Sequence, residues 1–233
     1  MGKKKKIVVF SGAGISADSG LKTFRDSDGL WEEYNVMDVA TPEAWAKNPQ
    51  LVLEFYNKRR EQILNAKPNP AHFALAELEK KFDITIITQN IDDLHQRAGS
   101  TNVLHLHGNI TFARSTNEKD SKLYPIKSGN LNFGDKCPYG FQLRPHVVWF
   151  GEEVPNMAVA QDIVSGTDIL IVIGTSLTVY PAANLLYCAS WKTEKYLVDP
   201  SVPRVADVEN LTIIQEKASK GVPLLAQKLM EKN

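Results

Sequence analysis

Short apolar runs, each closed by a polar or glycine-rich turn, set the rhythm of this chain. Residues 7–10, 84–88, 103–106, 169–173, 195–198 and 211–214 are such runs, and their length predicts strands. Most are apolar at every position rather than at alternate ones, which suits a parallel sheet covered on both faces. Helical patterns lie between them. Thr41 followed by Pro42 has the form of an N-cap with proline at the first helical position. Longer helices are predicted over 49–64, over 70–82 (Phe73, Leu75, Ala76 and Leu78 at helical spacing) and from 221 or 222 to the end. Strand and helix alternate from about residue 68 onward. The expected fold class is therefore α/β, a Rossmann-like doubly wound parallel sheet.

Two stretches interrupt the alternation. Residues 20–67 read as loop, helix, helix without a strand. Residues 111–143 are polar and turn-rich, with Gly129, Asn130, Gly134, Pro138 and Gly140. Loops this long in a compact domain usually serve a function. Both are read as inserts that form a smaller lobe: 20–67 helical, 111–143 irregular. The large lobe would be 1–19, 68–110 and 144–233, and the whole chain would form a single domain. Ligands of such folds sit at the carboxyl ends of the strands, so the cleft between the lobes is the expected site.

Composition narrows the class. The chain has 233 residues, 43% hydrophobic, with 27 Lys plus Arg against 27 Asp plus Glu and a formal net charge of zero. That is enough apolar mass for one sizeable core, and it argues against holding nucleic acid by bulk charge. No apolar run approaches a bilayer span of about 20 residues, and the run after the basic Lys3–Lys6 tail is too short for a signal peptide. Two cysteines, Cys137 and Cys188, make neither a disulfide framework nor a four-thiolate zinc site. A soluble cytoplasmic protein, away from membranes and nucleic acid, is the expectation; the sequence does not reveal its oligomeric state.

Gly12-Ala13-Gly14-Ile15-Ser16-Ala17 follows the first strand and fits the G-x-G-x-x-G/A pattern, in which small residues admit a pyrophosphate at a helix N-terminus. A tight strand-to-helix turn without a ligand would read the same way. A hydride-transferring dehydrogenase would continue with a helix, a second strand and an acidic residue some ~20 positions on. Here the chain enters a loop through Phe24, Arg25, Gly29 and Trp31 instead, which weakens that reading. Three more polar pieces stand at strand ends: Thr88-Gln89-Asn90-Ile91-Asp92, Leu106-His107-Gly108 and Gly174-Thr175-Ser176. Each alone is unremarkable, but the strand order lets them converge on one cleft.

With these segments in this order, together with Thr23-Phe24-Arg25, Gly29-Leu30-Trp31 and Arg144-Pro-His-Val-Val-Trp-Phe-Gly-Glu152, the sequence resembles the sirtuin family of NAD-dependent protein-lysine deacylases from about residue 7 to 230. The resemblance implies an NAD cleft. Gly12, Ala13, Gly14 and Ile15 would hold the pyrophosphate, and Phe24, Arg25 and Trp31 would lie along the cofactor loop. Gln89, Asn90 and Ile91 would serve the ribose and nicotinamide pocket, with Asp92 receiving the carboxamide. Gly174, Thr175 and Ser176 would meet phosphates and the adenosine ribose. Leu197, Val198 and Asp199 would follow the next strand, where relatives often place Asn, and Ala218 would be the last adenine contact.

The family reaction, as the resemblance implies it, has the acyl-lysine amide oxygen attack the nicotinamide ribose and nicotinamide leave. His107 and Asn90 would be the catalytic pair, with His107 as general base that deprotonates a ribose hydroxyl, and water would then resolve the intermediate to free lysine and O-acyl-ADP-ribose. His105, two residues earlier, would be structural; His72, His95 and His146 receive no role. The acylated protein or peptide would add as a strand along Phe150, Gly151, Glu152 and the 177–180 segment, with Val148 and Phe150 lining the acyl tunnel.

Two departures are specific to this chain. Where relatives hold zinc with two cysteine pairs, it has Ser115, Glu118 and a single Cys137, so no zinc is expected. Leu123, Tyr124, Ile126, Leu131, Phe133, Tyr139 and Phe141 would then hold that region by packing. Tyr56 and Arg59, at i and i+3 on one helix face, resemble the pair of the acidic-acyl class, and imply a preference for succinyl or malonyl over acetyl groups. ADP-ribosyl transfer to a protein side chain and a non-catalytic NAD-sensing module are the competing readings.

Overall fold

The protein is described by a computed structural model covering residues 4–22, 30–31, 34–126, 129–201 and 208–232; for residues 30 and 31 only the backbone is described. The strands are β1 (Lys6–Ser11), β2 (Leu30–Trp31), β3 (Tyr34–Asn35), β4 (Asp83–Thr88), β5 (Val103–His105), β6 (Gly108–Ser115), β7 (Leu123–Pro125), β8 (Leu143–Val147), β9 (Ile169–Ile173), β10 (Glu194–Val198) and β11 (Leu211–Ile214). The α-helices are α1 (Val36–Val39), α2 (Pro42–Lys47), α3 (Pro49–Asn65), α4 (Pro70–Leu78), α5 (Leu94–Arg97), α6 (Met157–Ser165), α7 (Leu185–Cys188) and α8 (Ala218–Lys232). A 3₁₀ helix, Ala13–Ser19, follows β1 directly.

The six runs predicted as strands form one parallel sheet in the order β11-β10-β9-β1-β4-β5. Its alternate residues face two separate cores. Ile7, Val9, Ile171 and Ile173 pack under α4 and α8. Val8, Phe10, Leu170 and Val172 pack under α6 and α7. Each such side chain contributes about 1.5–3 kcal/mol by leaving water, and a strand covered on both faces has no polar positions to spare. The two edge strands, β5 and β11, are the exceptions, with every residue at least partly exposed.

Helix starts follow the cap chemistry. The Thr41 side chain accepts from the Ala44 amide, Asn48 caps α3, and Asn69 with His72 forms a capping box on α4. Helix α4 ends at Leu78 and continues only as turns to Phe82, shorter than its apolar spacing predicted. Helix α8 begins earlier than predicted, at Ala218.

The two interrupting stretches carry more structure than their sequence suggested. The first includes the β2–β3 pairing and α1. In the second, β6 runs straight out of the His107-Gly108 turn and pairs antiparallel with β7 and β8. Leu131 is buried there with Leu53 and Ala113, and Tyr124 and Ile126 pack against them. Leu123, Phe133, Tyr139 and Phe141, expected to hold this region, are exposed instead. Part of their work is done by polar clips. The Asn57 side chain exchanges two hydrogen bonds with the Leu131 backbone, and Arg60 donates to the Gly129 carbonyl.

Candidate active site

The carboxyl ends of β1, β4 and β9 and the turn after β5 open onto one cleft of about 540 Å³. Gly12, Ala13 and Gly14 line it from the turn after β1. Gln89, Asn90, Ile91 and Asp92 come from the turn after β4, and His107 from the β5–β6 turn. Gly174, Thr175 and Ser176 follow β9, Asp199 follows β10, and Ala218 opens α8. Tyr56 and Arg59 of α3 and Val148, Phe150, Gly151 and Glu152 after β8 complete the wall. Three expected residues are placed differently. The side chains of Ile15, Leu197 and Val198 are buried in the sheet cores. Phe24 and Arg25 lie outside the described residues, as does the Trp31 side chain.

The glycines make the turns after β1 and β9 interlock. The Gly12 amide donates to the Ile173 carbonyl and the Gly14 amide to the Gly174 carbonyl. A Cβ on Gly14 would stand 2.6 Å from the Gly174 Cα. Part of the motif's demand for small residues is therefore this backbone contact, which is the turn-packing reading of the pattern. Gly108 is constrained in another way. Its φ is +81°, and a Cβ there would lie 2.2 Å from the His146 carbonyl oxygen. Only glycine lets β6 meet β8 immediately after His107. Gly108→Ala should destabilise the protein by about 2 kcal/mol or more, read as a lowered urea midpoint, whereas an unchanged midpoint would show that the strands can separate without cost.

The turn after β4 is a directed hydrogen-bond chain. The Asn90 Nδ2 donates to Ser16 Oγ (3.2 Å), and Ser16 Oγ donates to an Asp92 carboxylate oxygen (3.0 Å). The other Asp92 oxygen accepts from the Leu94 amide at 3.0 Å. Burial pushes the Asp92 carboxyl up, and these two donors oppose that shift. Gln89 Nε2 donates to Thr175 Oγ1 at 3.1 Å, joining the β4 and β9 ends. Ser16 is thus a site residue that role-by-role sequence reading passed over, although it stands in the quoted glycine motif.

His107 Nδ1 lies 3.0 Å from the Gln89 carbonyl oxygen. A carbonyl only accepts, so Nδ1 carries the proton and Nε2 is the basic nitrogen. Burial holds the imidazole below its usual value, and the Gln89 carbonyl opposes this more weakly. The ring is therefore neutral at pH 7, in the state a general base needs.

The cleft wall that follows β8 is fixed by an ion-pair knot. Arg144 binds Glu152 through both guanidinium nitrogens (2.6 and 2.9 Å) and lies over the Trp149 ring at 3.3 Å. Glu152 also accepts from the Trp149 amide at 2.8 Å. Its carboxylate thus holds the turn that carries Val148, Phe150 and Gly151. On α3, Val52, Tyr56 and Ile63 form one stripe against Trp149 and Val147, with Arg59 beside them. Tyr56 is 1% exposed and Arg59 7%, yet both reach the cleft. Arg60, one residue on, points away to Asn57 and Gly129.

The Sir2 family model matches residues 12–181, which hold most of these positions. The chain belongs to the Sir2 family. An NAD-dependent protein deacylase of Helicobacter pylori strain J99 is 51% identical over 227 residues, 97% of this chain and 96% of its own. A solved Sir2 homologue–NAD complex superposes with a TM-score of 0.87 at 38% identity, covering 98% of this chain and 91% of that one. A Sir2 complex with a p53 peptide and NAD+ gives 0.76 at 32% identity, covering 98% and 93%. The Rossmann-like α/β fold with a separate small antiparallel sheet is the Sir2 fold.

Ser115, Glu118 and Cys137 stand at the positions where the resemblance implies zinc cysteines in relatives. Ser115 Oγ donates to Cys137 Sγ at 3.4 Å, and the Cys137 amide and carbonyl close the turn to Phe141 and Gly140. One thiol faced by a hydroxyl does not fit a tetrahedral thiolate site. Among the described residues no three His, Cys, Asp or Glu side chains converge as metal ligands.

Proposed function

We propose that this chain is an NAD-dependent protein-lysine deacylase that prefers succinyl- and malonyl-lysine and also removes acetyl groups. The observation that carries the reading is the placement of a neutral His107 with a basic Nε2 in the same cleft as the Asn90–Ser16–Asp92 chain and the Tyr56–Arg59 pair. The relative named NAD-dependent protein deacylase covers nearly the whole chain, which supports the deacylase part of the reading. NAD fits the cleft chemically, because three strand-end turns present polar groups and small residues to one space of about 540 Å³.

When bound, NAD supplies the ribose carbon that accepts the acyl oxygen and the ADP-ribose that carries the acyl group away. Gly12–Gly14 and Gly174–Ser176 bind its phosphates and adenosine ribose, with Asp199 and Ala218 at the adenine end. Asn90 and Asp92, linked through Ser16, orient the nicotinamide side. His107 Nε2 takes the proton of a ribose hydroxyl, and the Gln89 carbonyl then stabilises the imidazolium through Nδ1. Val148 and Phe150 enclose the acyl-lysine stem and keep water from it. The peptide adds as a strand between the 150–152 and 177–180 segments, a mode that gives weak sequence preference. The small antiparallel sheet with α1–α3 acts as the smaller lobe of one catalytic domain. A cytoplasmic setting belongs to the same reading, and Cys137 and Cys188 are free thiols.

The test is mass spectrometry of an acyl-peptide incubated with NAD. O-acyl-ADP-ribose is the expected product; a peptide that gains ADP-ribose would mean ADP-ribosyl transfer, and no turnover of any acyl-peptide would leave an NAD-sensing module. The same reading makes the protein zinc-free, with its lobe held by the Asn57 and Arg60 clips. Elemental analysis should find far less than one zinc per chain, and a chelator should leave the melting temperature unchanged. Stoichiometric zinc would overturn this.

A further inference from the structure

His105 repeats, one step away, the contact that His107 makes. Its Nδ1 lies 3.0 Å from the Asn90 carbonyl oxygen, as His107 Nδ1 lies 3.0 Å from the Gln89 carbonyl oxygen. The two histidines therefore hold two successive carbonyls of the turn after β4. The carbonyl accepts, so His105 carries its proton on Nδ1, and its Nε2 accepts from Gln96 Nε2 at 2.7 Å. The His105 backbone is itself pinned, because Asn156 Nδ2 donates to its carbonyl at 2.9 Å.

This matters because of what the turn carries. The Asn90 amide is held by Thr88 Oγ1 at 3.1 Å and its side chain by Ser16 at 3.2 Å. The carbonyl of the same residue is the remaining handle, and His105 holds it. Rotating the Asn90 peptide would swing the Asn90 side chain off Ser16. It would also disturb the neighbouring Gln89 carbonyl, which sets the tautomer and angle of His107.

Building on the deacylase reading, we infer that His105 is a positioning residue for the reaction: through Nδ1–H it locks the Gln89–Asn90 turn that aims both Asn90 and His107. The ring need not titrate to do so, and burial holds its pKa down. An Asn side chain places Nδ2–H close to where Nδ1–H lies, so it should substitute; a Leu should not.

Two measurements test this. Nitrogen-15 NMR of the imidazoles, assigned with single His→Asn variants, should show His105 and His107 both protonated at Nδ1. A His105 protonated at Nε2 overturns the proposal whatever the enzyme turns over. Steady-state kinetics then separate positioning from fold. His105→Leu should lose on the order of 10²-fold in kcat with peptide KM moved by less than about threefold, and His105→Asn should stay within about threefold of wild type. Unchanged kcat in His105→Leu, or equal losses in both variants, would show that the Asn90 contact is not what the reaction needs. If the Leu variant does not fold, the Asn variant and the tautomer still decide. A wild type inactive on every acyl-peptide would count against the deacylase reading, with the tautomer result standing apart from it.

Discussion

His107→Ala is expected to abolish deacylation almost completely while leaving the fold and NAD affinity near wild type. Loss of a general base typically costs ~10²–10⁴-fold. His107 sits in a turn between β5 and β6 and is partly exposed to the cleft, so its removal leaves no large cavity. The Gln89 carbonyl it binds borders the cleft, where water can replace the lost donor. Isothermal titration with NAD, thermal melting and peptide turnover should therefore separate: the first two little changed, the third lost. Near-normal turnover would exclude His107 as the base.

The pH profile follows from the same ring. The active form is neutral, and burial lowers the His107 pKa from 6.5. Activity should be flat through neutrality and fall as pH drops through a value below 6.5, with kcat/KM reporting the free enzyme. The acid limb must be distinguished from acid unfolding. His72 and His146 are held neutral by burial, with pKa values lowered to about 4. Their folded values lie below their unfolded ones. The stability they protect is fully present above the unfolded value of 6.5 and is lost progressively as pH falls from there through about 4. An activity limb that coincides with loss of circular dichroism would mean unfolding, not titration of His107.

How legible all this was in the sequence varies with the physics of each element. The six parallel strands could be read because a sheet covered on both faces demands continuous apolar runs. Strands β6, β7 and β8 could not, because polar residues such as Asn109, Thr111 and Arg114 interrupt β6 and prolines stand in β7 and β8, so none shows a continuous apolar run. Helix α6 was missed although its buried face, Ala160 and Val164, is at helical spacing. Strand ends were readable as a site because polar residues after a buried strand have only the cleft to face. Leu197 and Val198 show the limit of that logic. They lie inside β10, whose two faces are both covered, so neither side chain can reach the cleft, whereas Asp199 just past the strand end does. Glu152 was legible as important but not in its role: its partner Arg144 was quoted in the same segment, and only the folded turn brings them together.

Arg59→Met is expected to change which acyl group the enzyme prefers. Arg59 and Tyr56 face the cleft from α3, with Tyr56 in the apolar cluster that contains Val52, Ile63, Val147 and Trp149. The guanidinium is held in place, with Nη2 donating to the Lys22 carbonyl at 3.2 Å and Nη1 to Gln62 Oε1 at 3.5 Å. Tyr56 is braced edge-on by Phe55 at 4.9 Å, and burial pushes its hydroxyl pKa up, so it remains a donor at any working pH. A succinyl or malonyl carboxylate entering here meets a planar fork and a third donor, all pre-oriented. An acetyl group has nothing to offer these donors and gains little from them. Replacing Arg59 by Met keeps the aliphatic stem that packs along the helix and removes only the fork. Succinyl-peptide kcat/KM should then fall on the order of 10²-fold, which is what about 3 kcal/mol of charge-assisted hydrogen bonding amounts to, while acetyl-peptide turnover is kept. The measurement is kcat/KM for matched succinyl- and acetyl-peptides in wild type and variant. A wild type that favours acetyl, or a variant that loses both activities equally, would make Arg59 a brace for the helix rather than the reader of the acyl chain.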